Sequence, residues 1–303
     1  MKGRFFWIAL FLIGISWTMN TIYAHSKQLD EPIFLDHYID TLIQEGSFLT
    51  FYYLTNKNDI SNVSHVNIGD VTGYVSNDEF NFGFDYDDNL NIGVFAHHAL
   101  RSLHIELNPS ELESSLRDGS FTFNEIDVYF NNGKNMTAPI GEVVIHTDYP
   151  SDNPLSALGA SAGDNWNIHY YNVEEALVLE DITINFDDTL QNQIFVKLDS
   201  VSNPTIENST HENLINNNWN ETPGIDILNI EFPYELVKDE KLYIYSQISP
   251  EFIGILESPI ILSGTTTSGK TFTTYSPFNS QQPYLEQKDV NKIIKEKSGG
   301  GNR

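Results

Sequence analysis

Residues 264–271 read GTTTSGKT and satisfy the spacing of a phosphate-binding P-loop, G-x-x-x-x-G-K-[ST]. Such a loop joins a buried strand to a helix, and the helix N-terminus and loop amides hold the phosphates. The residues that follow, FTTYSPFNSQQP, are β-branched and aromatic, and Pro277 arrives before a helix can form. The stretch therefore predicts a hairpin, with Gly269 at positive φ in a Thr-Ser-Gly-Lys turn. A second spacing, GASAG at 159–163, matches the nucleophile elbow G-x-S-x-G, with Ser161 as nucleophile and His169 or His211 as base. Its flanks, PSDNPLSAL and DNWNIHYYNV, suit neither the strand nor the helix that an elbow needs. Small residues in a linker account for the match.

Metal chemistry has two candidate places. His97, His98 and His104 lie close in sequence, but on a strand His97 and His98 point to opposite faces, and neither an HExxH pattern nor a Cys/His pairing is present. In FDYDDNLN, Asp85, Asp87, Asp88, Asn89 and Asn91 gather the hard oxygen ligands that calcium takes. An EF-hand loop counted from Asp85 would need Gly and Glu where Leu90 and Ala96 stand, so the stretch reads as a hairpin turn with Asp85, Asp87, Asp88 and Asn89 as candidate calcium ligands. No pair of carboxylates for glycoside chemistry stands out among 42 acidic residues.

The segments that must position these residues read as β almost throughout. Aromatic and β-branched clusters such as FLTFYYLT, FTFNEIDVYF, WNIHYYNV, LEDITINF and EKLYIYSQI alternate with Asn, Asp, Gly and Ser punctuation. The expected fold is all-β: two antiparallel β-sandwich, Ig-like domains with one or two short helices. One helix is signalled by Asn108 as N-cap, Pro109 at N1 and Glu111 at N3, with Leu112 and Leu116 turned inward. A second is expected at 287–297, where Val290, Ile293 and Ile294 form a narrow stripe. Prolines and small residues at 148–165 mark a boundary, giving a signal peptide at 1–24, sandwiches at 25–148 and 149–285, and a short amphipathic helix with a disordered tail at 286–303. The polar stretch 202–224, with Trp219, reads as a long loop and the first candidate for a binding surface.

Export is written at the N-terminus. Lys2 and Arg4 precede the apolar run FFWIALFLIGISW, and Ile22-Tyr23-Ala24 suits signal peptidase, which predicts cleavage after Ala24. Beyond that point no segment approaches a membrane span, no cysteine offers a lipid attachment site, and the tail KEKSGGGNR carries no sorting signal. An exported chain without cysteines fits a Gram-positive-type exterior. With Lys2 and Arg4 removed, 14 basic residues face 42 acidic ones, a formal charge of −28. No basic patch is apparent, so nucleic acid is an unsuitable partner and anionic wall polymers or lipids would be repelled unless cations bridge them. The expectation is a secreted or envelope-associated protein, a non-catalytic binding or structural module with an extracellular or cell-envelope ligand and no cofactor beyond calcium. An extracellular hydrolase acting on glycan or ester is the alternative.

Overall fold

The computed structural model describes residues 2–44, 47–75, 91–116, 119–148, 153–186, 189–190, 192–201, 214, 216, 218–279 and 283–298. Its first element is a helix, α1 (Lys2–His25), exposed at 5–8 and 10–25. Strands β1 (Ile33–Phe34), β2 (His37–Leu42), β3 (Phe48–Asn56), β4 (Val63–Ile68), β5 (Val71–Val75), β6 (Asn91–Val94), β7 (His98–Leu107), β8 (Ser120–Phe130) and β9 (Asn135–His146) follow, with helix α2 (Pro109–Ser115) between β7 and β8. The second half holds β10 (Leu155–Ala162), β11 (Trp166–Val173), β12 (Leu177–Ile184), β13 (Ile194–Val201), β14 (Ile225–Asp226), β15 (Tyr234–Leu236), β16 (Lys241–Ile248), β17 (Ile255–Thr266) and β18 (Thr271–Asn279). Helix α3 (Gln287–Ser298) ends the described chain.

The alternation in these segments produces sheets with a buried face, and the all-β expectation holds. In the first half, β1-β3-β7-β5-β4-β8-β9-β2 are neighbours in one sheet that curls around a core of Phe51, Tyr53, Ile105, Ile126, Val128, Ile140 and Val143. Asn108 caps α2 by accepting the Ser110 N–H, and the helix delivers fully buried Leu112 into that core. In the second half, β15-β12-β17-β18 face the separate sheet β10-β11-β16-β13-β14 across Leu179, Leu198, Ile244, Leu262 and Phe278. Adjacent pairs are antiparallel except at β2, which runs parallel to β9 on one side and to β17 on the other.

Strand β2 therefore joins the halves into one hydrogen-bonded sheet. Its Ile39 belongs to the first core, while Tyr38 packs against the second. The close approach of β9 depends on Gly141, at φ 94°, where a Cβ would stand 2.5 Å from the His37 carbonyl oxygen. His37 is fully buried. Its Nδ1–H donates to the Leu35 carbonyl at 2.9 Å and its Nε2 accepts the Tyr52 N–H at 2.9 Å, so the ring is a neutral bridge from β2 to β3.

One stretch differs from its sequence reading. The small-residue run in 148–165 is largely strand β10 rather than a linker, because its neighbour β11 supplies the bulk that its own side chains lack. The C-terminal helix forms where the apolar stripe placed it, and Val290 and Ile293 are buried against Leu35, Tyr52, Leu54, Leu100 and Ile255. Burial of two such side chains stabilises by roughly 1.5–3 kcal/mol each.

Candidate ligand-binding face

Strands β11 and β16 of the five-stranded sheet are apolar on both faces, and β13 between β16 and β14 is apolar on one. One face, with Tyr171, Val173, Val196, Leu198, Leu242 and Ile244, is the sandwich core. The other carries Trp166, Ile168 and Tyr170 from β11 and Tyr243 and Tyr245 from β16. Register brings these together: Tyr170 lies opposite Tyr243, Ile168 opposite Tyr245, and β13 sets Lys197 beside Tyr245 and Asp199 beside Tyr243. The Tyr170 and Tyr243 rings stack at 5.8 Å and 23°, and Tyr243 and Tyr245 at 6.1 Å and 9°. The result is a flat aromatic ladder flanked by one cation and one carboxylate.

Within the described part of the 202–224 stretch, Leu214 and residues 218–224 form a strap over this ladder. Leu214 is fully buried in it, and Gln247 Nε2 donates to the Leu214 carbonyl at 3.3 Å. A 3-10 turn at Trp219–Glu221 sets the Trp219 ring 6.0 Å from Phe195. Lys197 holds the turn down. Its Nζ donates to the carbonyls of Trp219 and Thr222, each at 2.8 Å, and lies 5.0 Å from the centre of the Trp219 ring. Burial pulls the Lys197 pKa down, opposed by Asp226, and burial pushes Asp199 up. Tyr243 and Tyr245 are also pushed up by burial, which keeps both as neutral phenols. The strap is incompletely satisfied: Trp219 Nε1 and Thr222 Oγ1 are buried with no hydrogen-bond partner among the described residues.

The same ladder explains the nucleophile-elbow spacing. Gly159 lies opposite Tyr170, whose hydroxyl would be 2.2 Å from a Cβ there; Gly163 lies under Trp166, whose Nε1 would be 2.3 Å from one. The glycines make room for aromatic rings. Ser161 pairs with Ile168 and Ala160 with His169, so Ser161 and His169 point to opposite faces of the sheet and cannot exchange a proton. His211 lies outside the described residues.

The P-loop spacing forms the expected hairpin of β17 and β18, with Gly269 at φ 83° and the Thr266 N–H donating to the Lys270 carbonyl at 2.8 Å. Gly264 sits in β17 where a Cβ would strike the Val178 carbonyl at 2.0 Å. Of the histidines, His97 precedes the strand and only His98 and His104 are in β7. His98 Nε2 binds the Lys27 carbonyl at 2.9 Å, and His104 Nδ1 binds Thr50 Oγ1 at 2.9 Å. Among the described residues no group of His, Cys, Asp and Glu is arranged to hold a metal. The candidate calcium ligands Asp85, Asp87, Asp88 and Asn89 lie outside the described residues; Asn91 is described, and its Oδ1 accepts from Arg101 Nε at 3.0 Å.

A polar cluster that the sequence reading missed sits at the seam. Asp40 on β2, only 3% exposed, meets His146 Nε2 on β9 at 2.9 Å and accepts from Asn185 Nδ2. Nearby, Thr41 Oγ1 donates to Glu257 of β17 at 2.9 Å, and burial, then the charge of Asp40, raises the Glu257 pKa. These groups satisfy one another across three strands and act as a polar clamp between the halves.

No family model matches the chain, and no curated protein matches it. Solved structures give distant likenesses. The collagen-binding domain of Erysipelothrix rhusiopathiae surface protein RspB is 9% identical over 82% of this chain and 92% of that one, with a TM-score of 0.23. The S. aureus collagen adhesin is 10% identical over 78% and 90%, with a TM-score of 0.20. The human desmocollin-1 ectodomain is 11% identical over 86% of this chain and 39% of its own, with a TM-score of 0.20. At such scores none of them bears on what this chain does.

Proposed function

We propose that this protein is a non-catalytic binding or structural module that works outside the cell or at its surface, and that the outer face of β11, β13 and β16 meets its ligand. The supporting observation is the ladder of stacked tyrosines on a sheet face that the sandwich core does not use, covered by a strap with two polar groups that have no partner among the described residues. The half-exposed margin of the ladder at Tyr170 suits an extracellular or envelope ligand that stacks a flat face there and adds hydrogen bonds at its edge. Tyr170, half-buried at the margin of the ladder, is where such a ligand first makes contact. The stretch holding Asp85, Asp87, Asp88 and Asn89 is proposed as a separate calcium site that stabilises the fold.

The test is saturation binding of the full chain to isolated cell envelopes and to soluble glycans, with product analysis in the same samples. Binding without turnover is expected, weakened by about 1 kcal/mol, roughly fivefold, in Tyr170→Ala. Unchanged affinity in that variant removes the ladder from the site. Hydrolysis of glycan or ester that disappears in Ser161→Ala or Asp40→Asn makes the protein an enzyme and overturns the proposal.

A further inference from the structure

Helix α3 carries a charge pattern that its packing does not need. Val290, Ile293 and Ile294 face the body of the molecule, while Lys288, Lys292 and Lys295 are exposed at i, i+4 and i+7, one stripe along the solvent side. Lys295 and Lys297 sit in the last turn, where the helix dipole favours cations; Lys297 is also engaged by Asp36 at 2.6 Å. Lys288 is at the opposite end, where the dipole disfavours it and Glu286, 2.9 Å away, offsets the cost. Helix stability accounts for Lys295 but not for the continuation of the stripe through Lys292 to Lys288, and in a chain of formal charge −26 the stripe stands against the prevailing field.

Its location supplies a reason. Helix α1 is exposed and apolar over Phe5–His25, long enough to cross a membrane, and Tyr23 in its last turn lines a groove with α3. The Tyr23 ring meets His97 edge-on at 6.0 Å, and Lys27 Nζ lies 5.5 Å from the Tyr23 ring centre. Tyr23 and Lys27 share one groove of about 1260 Å³ with Asn291, Ile294, Lys295 and Lys297 of α3. Lys2 and Arg4 at the far end of α1 set the opposite terminus on the inner side of a membrane. We infer that α1 is retained rather than cleaved after Ala24 and that this end of the molecule faces a lipid surface: α1 inserts as an anchor, and the Lys288–Lys292–Lys295 stripe rests on anionic headgroups. The net acidic charge of the body then keeps the remainder of the protein off the same surface.

The experiment reconstitutes the full 303-residue chain into vesicles of phosphatidylcholine alone or mixed with phosphatidylglycerol and follows amide hydrogen exchange in α3. Exchange about tenfold slower in the anionic vesicles is expected, reversed by high salt and abolished in the triple variant Lys288→Glu, Lys292→Glu, Lys295→Glu. The matching glutamine variant, with an unchanged melting temperature in detergent, separates loss of charge from loss of fold. Equal exchange in both vesicle types overturns the inference. So does slowing produced by soluble poly(glycerol phosphate) but not by anionic vesicles, which assigns the stripe to a wall polymer.

Discussion

Single residues in this protein are held by what lies across from them. His37 shows this most directly. Burial lowers its pKa from 6.5 to about 3, so the fold keeps the ring neutral, while the unfolded chain protonates near 6.5. The stabilisation is therefore complete above pH 6.5 and is lost as pH falls from 6.5 toward 3, at about 1.4 kcal/mol per pH unit. A His37→Gln variant, which keeps a donor and an acceptor, should show a shallower fall in melting temperature between pH 6.5 and 4 than the natural chain. A parallel fall in both would remove His37 from the acid response. Gly159 is the second case. Gly159→Ala places a Cβ 2.2 Å from the Tyr170 hydroxyl, so the ring must move and the ladder must open, at a cost of about 1–3 kcal/mol that chemical denaturation would detect.

At the level of elements, periodicity in the sequence located most strands, but it did not say how many layers each would touch. Strand β16 reads LYIYSQI after Lys241, with Leu242 and Ile244 on one face and Tyr243 and Tyr245 on the other. A strand apolar on both faces must be covered on both, and that signal was present in the sequence without naming the cover. The strap supplies it, fastened chiefly by Lys197. Lys197→Met should free the Trp219–Thr222 turn, seen as faster amide exchange there and a red-shifted tryptophan emission, while the sandwich itself remains folded. Helix α3 was legible as an amphipathic stripe, and its docking is testable in the same spirit. Val290→Asp buries an unpaired carboxylate under the helix and should cost about 3 kcal/mol or more, whereas Lys292→Ala on the exposed side should change stability by less than about 0.5 kcal/mol.

On the scale of the whole molecule, two cores share one sheet through β2. Hydrogen bonds on both edges of that strand, together with the Asp40–His146–Asn185 clamp, couple the halves, so calorimetry should show a single thermal transition. Asp40→Ala leaves His146 and Asn185 short of a buried partner and should lower stability by roughly 2–4 kcal/mol and broaden or split that transition. Two separated peaks in the natural chain would show that the seam does not couple the halves. The sequence by itself determined the β character, the α2 cap, the hairpin at 264–271 and the apolar N-terminal segment, because each depends on neighbours within a few residues. Only the tertiary structure decided that a run of small residues is a strand, that β2 lies parallel between two halves, that Asp40 meets His146, and that Trp219 covers a tyrosine ladder. Those contacts join residues tens to hundreds of positions apart, and their register is fixed by shape and burial across strands, which local composition does not encode.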